Sequence, residues 1–274
     1  MTITFPEFAK SYLEFTTKRN TKFLGVKDTK WGFKFSGNKL MQDGSFEPEE
    51  TTLLSRLMLD SDVFVDVGAN IGFYCCLAKS LNNHVIAFEP DTSNLQVLYL
   101  NLSSNNWHDV EVFPMGLAEA PGVAELYGFG TGASLIPYWA EVPSSINNSI
   151  ALTTLDIALS NRCNEKKILI KIDVEGAELG VLKGSLNLLK SHPNLTFLIE
   201  ICLTEHHPQG VNPNFYEVFE LFNNYGYLAK TVEKESKSVT LADAKEWSLS
   251  GKRTFGHINF LFQKNYFEID SSDA

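Results

Sequence analysis

The chain has 274 residues, 44% of them hydrophobic and 20% charged, the proportions of an ordinary globular protein with room for one large α/β domain or two small ones. Its net charge of −10 argues against DNA or RNA as a partner, since a general nucleic-acid binder carries a basic patch or stripe. An acidic total still suits a cationic cofactor.

Residues 4–18 have helical spacing, with Phe5, Phe8, Ala9, Tyr12, Leu13 and Phe15 on one face. Phe23–Val26 and Trp31–Phe35 read as short strands and Ser36-Gly-Asn as a turn. A helix is predicted over Glu47–Leu59, with Pro48 in its first turn. Residues 1–60 hold too little apolar pattern to bury a core alone and read as an N-terminal cap on a domain spanning 61–274. From there strands and helices alternate: strand Val63–Asp66, helix Ile71–Leu81, strand His84–Glu89, helix Ser93–Ser104, strand Val110–Met115. A Gly-, Pro-, Ser- and Asn-rich insert at 116–153, with a hairpin around Val123–Tyr127, interrupts the pattern. Alternation resumes with strand Lys167–Asp173, helix Ala177–Leu189, strand Leu195–Ile201 and helix Asn214–Asn223. Strands Tyr227–Val232 and Gly256–Gln263 close the chain as an antiparallel hairpin, and the charged run Val232–Trp247 between them reads as a loop. Repeated βα units imply a mostly parallel sheet with helices on both faces.

Cys75, Cys76, Cys163 and Cys202 contain no C-x-x-C pair, so neither a zinc ribbon nor a thioredoxin motif is supported, and they read as small buried side chains. The longest apolar stretch, Leu195–Leu203, is interrupted by Thr196 and Glu200 and falls far short of the ~20 residues of a membrane span. With no basic-then-apolar leader at Met1–Lys10, the expectation is a reducing, cytoplasmic setting with no membrane partner.

Four stretches carry chemistry. Asp66-x-Gly68-x-Asn70-x-Gly72 follows a strand and opens a helix, as a nucleotide-binding turn does. It lacks the third glycine of a dinucleotide fingerprint and the Gly-Lys-Ser/Thr of a P-loop. A carboxylate and a sharp turn without a phosphate anchor suit a cofactor with an amino-acid end and a positive centre rather than a diphosphate. Glu89, in Phe88-Glu-Pro at the end of the next strand, has two acceptor oxygens that match a ribose diol. Asp173, Glu175 and Glu178 crowd three carboxylates at the sheet's carboxyl edge, which costs free energy unless a cation, a donor network or shifted pKa values relieve it. Glu200 also falls near a strand's carboxyl end, with His206 and His207 downstream, and a histidine there can accept a proton at neutral pH. A metal site of Asp173, Glu200 and His206 can be drawn, but no spacing demands it, and no metal is expected. Phe129, Tyr138 and Trp139 in the insert suit either stacking on a ring or plugging the core.

Val65-Asp-Val-Gly-Ala-Asn-Ile-Gly-Phe-Tyr, Ala87-Phe-Glu-Pro and Lys171-Ile-Asp-Val-Glu-Gly-Ala-Glu, in that order, resemble the FkbM family of methyltransferases, which depend on S-adenosyl-L-methionine. The resemblance runs from about Glu47 to near Phe262 and is weakest in 116–153 and 203–250. It implies an α/β fold with a Rossmann-like seven-stranded sheet whose last strand is antiparallel, and O-methylation of a hydroxyl on a sugar, glycan or secondary metabolite. It further implies that Asp66, Gly68, Asn70 and Gly72 surround the methionine part of the cofactor and that Glu89 holds the ribose. Asp91, Thr92 and the Met115–Leu117 turn, with Gly116, would lie near the adenosine, and Asp173 and Glu175 would face the transferred methyl. Asp173 is the first choice of base or hydroxyl-orienting group, with Glu175, Glu200 and His206 as alternatives. A nicotinamide-dependent oxidoreductase and a non-catalytic cofactor-binding protein are the rival classes, and the sequence leaves the acceptor and the oligomeric state open.

Overall fold

The computed structural model describes residues 25–264 apart from 161 and 234, so the helix read over 4–18 and the start of the strand at Phe23 lie outside the described residues. A small antiparallel pair, Lys27–Asp28 (β1) and Lys34–Phe35 (β2), leads to helix Lys39–Asp43 (α1), capped by the Asn38 side chain. Helix Pro48–Leu59 (α2) follows, with Pro48 at its start, Glu49 and Glu50 in its first turn and Arg56 in its last, each where the helix dipole favours it.

Then come Val63–Val67 (β3), Phe73–Ser80 (α3), His84–Phe88 (β4), Thr92–Ser104 (α4) and Glu111–Phe113 (β5). Helix α3 starts two residues later than the sequence suggests, because Gly72 stands before it at φ 84°. The insert contributes Gly116–Leu117 (β6), Gly122–Tyr127 (β7) and Asn147–Thr153 (β8), which form their own sheet in the order β6-β8-β7. Strand β7 thus pairs with a distant strand across a long loop rather than closing a tight hairpin. Leu155–Leu159 (α5), Ile168–Ile172 (β9), Glu178–Lys183 (α6), Leu186–Ser191 (α7), Leu195–Glu200 (β10), Phe215–Asn224 (α8), Tyr227–Thr231 (β11), Ser238–Val239 (β12), Leu241–Ser250 (α9) and Asn259–Lys264 (β13) complete the order.

The main sheet runs β12-β11-β13-β10-β9-β3-β4-β5. Strands β10, β9, β3, β4 and β5 are mutually parallel, and β13 is antiparallel to both β10 and β11. This is the Rossmann-like seven-stranded arrangement with an antiparallel last strand, extended at one edge by the two-residue β12. The run read as a loop, Val232–Trp247, instead holds β12 and most of α9. Its polarity disguised a helix that opens on a capping box, with Thr240 and Asp243 each bonding the other's backbone N–H, and buries only Ala244 and Trp247.

Side chains alternate across the sheet, giving two cores. Val63, Val65 and Val67 of β3 pack with Ile168, Ile170 and Ile172 of β9 on the side of helices α5 to α9. Phe64, Leu169 and Leu198 face the other side, against α2, α3, α4 and the β1–β2 aromatics. On this second side the next alternating positions are Asp66, Lys171 and Glu200. The strand order reverses between β3 and β9, and Asp66 pairs in register with Lys171 there, so three ionisable residues reach the carboxyl ends of strands at a topological switch point.

Candidate active site

A cavity of about 290 Å³ opens at this switch point. Asp66, Gly68, Asn70, Glu89, Gly116, Asp173, Glu175 and Glu200 all line it, although they come from widely separated stretches of sequence. Its first wall is the turn after β3. The Phe88 carbonyl accepts hydrogen bonds from Gly68 N (2.9 Å) and Ala69 N (3.0 Å), tying the turn to β4. Gly68 has φ 84°, and a Cβ there would sit 1.8 Å from the Asp173 carbonyl oxygen. Only glycine permits this approach of the β3 and β9 turns. Asn70, at φ 51°, donates its backbone N–H to Glu89 Oε2 at 2.7 Å.

Glu89 is buried, and its Oε1 accepts from Asp91 N (2.8 Å) and the Asn94 amide (3.3 Å). Three donors leave acceptor capacity on Oε2. Burial raises the Glu89 carboxyl to about 7 despite those hydrogen bonds. Asp91 is not among the residues that line the cavity; its carboxylate caps α4 through Ser93 N and Asn94 N, and its backbone N–H bonds to Glu89. Gly72 also lies behind the cavity wall, where a Cβ would press on Leu98 at 3.0 Å.

Around Lys171 the cavity lining is rich in carboxylates. Lys171, almost fully buried, donates to Asp173 Oδ2 at 2.7 Å and lies 5.1 Å over the Tyr74 ring. Burial alone would lower its ammonium, but Asp173, Asp66 and Glu47 outweigh burial and hold it above its ordinary value. Burial raises Asp66 to about 6, against the pull of Lys171 and of the Cys75 thiol, which donates to Asp66 at 3.2 Å. Glu175, at φ 53°, accepts from Trp139 Nε1 at 2.7 Å, and burial with the nearby Asp173 charge raises it to about 7. Burial also raises Glu178 to about 7; it accepts from Gly176 N at 2.8 Å and so braces the turn that presents Asp173 and Glu175. Glu200 is pushed up to about 9 by burial and by Asp173.

His206 does not join this group. It is exposed, stands outside the cavity lining, and its ring lies 6.2 Å from that of Trp139. Trp139 is itself buried, packed where a Cβ on Gly176 would meet it at 2.6 Å, so it anchors the insert to the β9 turn, while Phe129 and Tyr138 stay exposed. Sequence reasoning overlooked Lys171, Tyr74 and Glu47. A signal for Lys171 was present, since a lysine in step with Leu169 must point into the same buried face. Nothing in the sequence sets Glu47 apart from an ordinary helix-start carboxylate. All four cysteines are free and buried, and no group of three or more His, Cys, Asp or Glu able to hold a metal occurs among the described residues.

A glycine turn, a buried strand-end glutamate and a carboxylate cluster thus meet at the switch point of a Rossmann-like seven-stranded sheet with an antiparallel last strand. A family model described as the Methyltransferase FkbM domain matches residues 66–229, and the chain belongs to that family. A relative, the hexuronic acid methyltransferase AglP of Haloferax volcanii, is 28% identical over 178 residues, covering 61% of this chain and 64% of its own length. Among solved structures, an O-methyltransferase from Bacillus cereus in complex with SAH is 14% identical, covers 79% of this chain and 80% of its own, and has a TM-score of 0.43. The O-methyltransferase TomG from Streptomyces achromogenes, in complex with SAM, is 13% identical, covers 79% of each chain and also has a TM-score of 0.43.

Proposed function

We propose that this protein transfers a methyl group from S-adenosyl-L-methionine to a hydroxyl of a small molecule or glycan, with a sugar as the favoured acceptor. The observation that carries this reading is the single cavity that brings together the Gly68 turn, Glu89, Asp173, Glu175 and Glu200. The residues suit this cofactor: Glu89 retains acceptor capacity for a ribose hydroxyl, and the one lysine lining the cavity is already bonded to Asp173, so no cation waits for a diphosphate. Bound there, the cofactor supplies an activated methyl on a cationic sulfur. Asp66, Gly68 and Asn70 would hold its methionine end, and Met115 and Gly116 its adenosine end. Asp91 and Gly72 contribute by shaping the wall.

The protein's remaining work is to position the acceptor oxygen and take up its proton. Asp173 is the base or orienting group. Lys171 fixes its Oδ2, and its Oδ1 carries no hydrogen bond from the described residues. Glu175 lines the same cavity. Glu200, raised to about 9, is protonated near neutrality and acts as a hydrogen-bond donor that orients the acceptor rather than as a base. His206 is set aside by its position outside the cavity. So many carboxylates around a single ammonium favour a neutral hydroxyl over an anionic nucleophile, and the hexuronic acid in the relative's name supports a sugar. We also assign residues 61–274 to the methyltransferase domain, 1–60 to a cap and 116–153 to the acceptor side.

The test is incubation with S-adenosyl-L-methionine and a panel of methyl glycosides of neutral hexoses and hexuronic acids, assayed for S-adenosylhomocysteine and methylated sugar. A thermal shift with S-adenosyl-L-methionine but not with NAD is expected, and the absence of both cofactor binding and product sinks the reading. Cofactor binding without product from any acceptor favours the non-catalytic alternative.

A further inference from the structure

The cavity is completed by residues that precede the span matched by the family model. Asn38, Met41, Phe46 and Glu47 all line it, whereas the match begins at Asp66. Phe46 reaches the α3 aromatics, 5.2 Å from the Phe73 ring and 6.2 Å from that of Tyr74. Glu47 is the charged member of this segment. It is half-buried, and its Oε2 accepts the Tyr74 hydroxyl at 2.6 Å. Lys171 lies over the same Tyr74 ring and bonds to Asp173, so Glu47, Tyr74, Lys171 and Asp173 form one continuous chain of contacts. Glu47 therefore belongs with Asp173 in the lining of the cavity. Its Oε1 carries no hydrogen bond from the described residues.

Its backbone is strained to hold this place. Glu47 stands at φ 40°, ψ 64°, immediately before Pro48, although a residue before proline favours extended geometry and a non-glycine residue avoids positive φ. Two contacts pin it there: Thr51 N donates to the Glu47 carbonyl at 2.8 Å, and Thr51 Oγ1 to that of Phe46 at 2.8 Å. Strain held by its surroundings beside a cavity is a mark of functional positioning.

We infer that Glu47 is an acceptor-binding, specificity-determining residue: its carboxylate receives a hydrogen bond from an acceptor hydroxyl next to the one that is methylated. The inference rests on the proposed methyl transfer. Its ligand is a polyhydroxylated acceptor, and its place is the segment before the family domain.

The experiment compares wild type, Glu47→Gln and Glu47→Gly by calorimetry with S-adenosylhomocysteine and by steady-state kinetics. The kinetics use whichever methyl glycoside the wild type methylates, together with its deoxy analogue lacking the neighbouring hydroxyl. Both variants should bind S-adenosylhomocysteine within about twofold of wild type. Their KM for the full glycoside should rise tenfold or more, while kcat/KM for the deoxy analogue stays near wild type. Glu47→Gly suits the positive φ and should remain folded, which guards against a loss that is only structural. An unchanged KM, or an equal loss on both glycosides, overturns the assignment. So does a tenfold loss of S-adenosylhomocysteine affinity, which would place Glu47 on the cofactor. A wild type that methylates nothing in the panel overturns the methyl-transfer reading and this assignment with it, an outcome told apart from the others because it shows in the wild type and not only in the variants.

Discussion

Gly68 shows how a residue without a side chain sets the chemistry of others. Its backbone lets the Asp173 carbonyl pass where a Cβ would stand 1.8 Å away, and the Asp173 carboxylate is placed by that passage. Gly68→Ala has to move backbone rather than a flexible side chain and must hold a positive φ as well. The expected loss is on the order of 2–5 kcal/mol, visible as a lower midpoint in urea, and S-adenosyl-L-methionine affinity should fall with it. An alanine variant with the wild-type midpoint would mean that the two turns are not in this contact. Asp173 allows a sharper separation of roles. Asp173→Asn keeps the shape of the side chain and removes its basicity, so turnover should fall by roughly 10²–10⁴-fold with cofactor affinity little changed. Wild-type turnover would remove Asp173 as the base. The glycine turn, Glu89 and the acidic strand end were legible because each combines a residue type with a position at a strand's carboxyl end. Glu47 was not legible, because its role depends on a tertiary contact with Tyr74, distant in sequence, and on a backbone conformation that proline should discourage.

The elements that escaped the sequence pattern did so where tertiary contacts overrode local preference. The apolar run Ala177–Leu189 reads as one helix, yet it breaks at Gly184 and Ser185 into α6 and α7. Insert and helix meet at that break. A Cβ on Gly184 would lie 2.1 Å from the Ala118 carbonyl oxygen, and the Gly184 carbonyl accepts from Asp156 N at 2.9 Å. The Asp156 carboxylate then caps α7 through Asn187 N (3.0 Å) and Leu188 N (2.8 Å). In effect α5 supplies the N-terminal cap that α7 lacks in its own sequence. Asp156→Ala leaves those donors to solvent and should cost about 1 kcal/mol, a fall in Tm of roughly 2–4 °C, with no change in cofactor affinity because α7 is remote from the cavity lining. A Tm within error of wild type would show that the break is held by Gly184 alone. Strand β8 illustrates the same limit. Its partner β7 is found only by folding back a long loop, so the insert's pairing could not be read from spacing, whereas the alternating β3–α3–β4–α4 run could.

At the scale of the molecule, the buried carboxyls in and around the site give stability a direction in pH. Asp66 is held up to about 6, Glu89, Glu175 and Glu178 to about 7, and Glu200 to about 9, in each case with burial as the largest cause. An unfolded chain titrates such groups at about 4. Between roughly pH 4 and 9 the folded protein therefore binds more protons than the unfolded one, so stability falls as pH rises through that interval. The contribution of Glu200 is fully present below about pH 4 and is lost as pH climbs through about 9. Glu200→Gln keeps the shape and a hydrogen-bond donor but cannot ionise. It should match wild type near pH 5 and exceed it by a few kcal/mol near pH 9, since each tenfold difference in proton affinity between the folded and unfolded chain is worth about 1.4 kcal/mol. Thermal unfolding of the two proteins between pH 5 and 9 reads this directly: the Tm curves should diverge with increasing pH. Parallel curves would mean that Glu200 is hydrated in the folded state, and its role as a neutral donor to the acceptor would fall with that result. Divergence without a loss of turnover in the variant would leave the donor role intact, since glutamine still donates. Divergence with turnover lost would assign the proton itself, rather than the hydrogen bond, to Glu200.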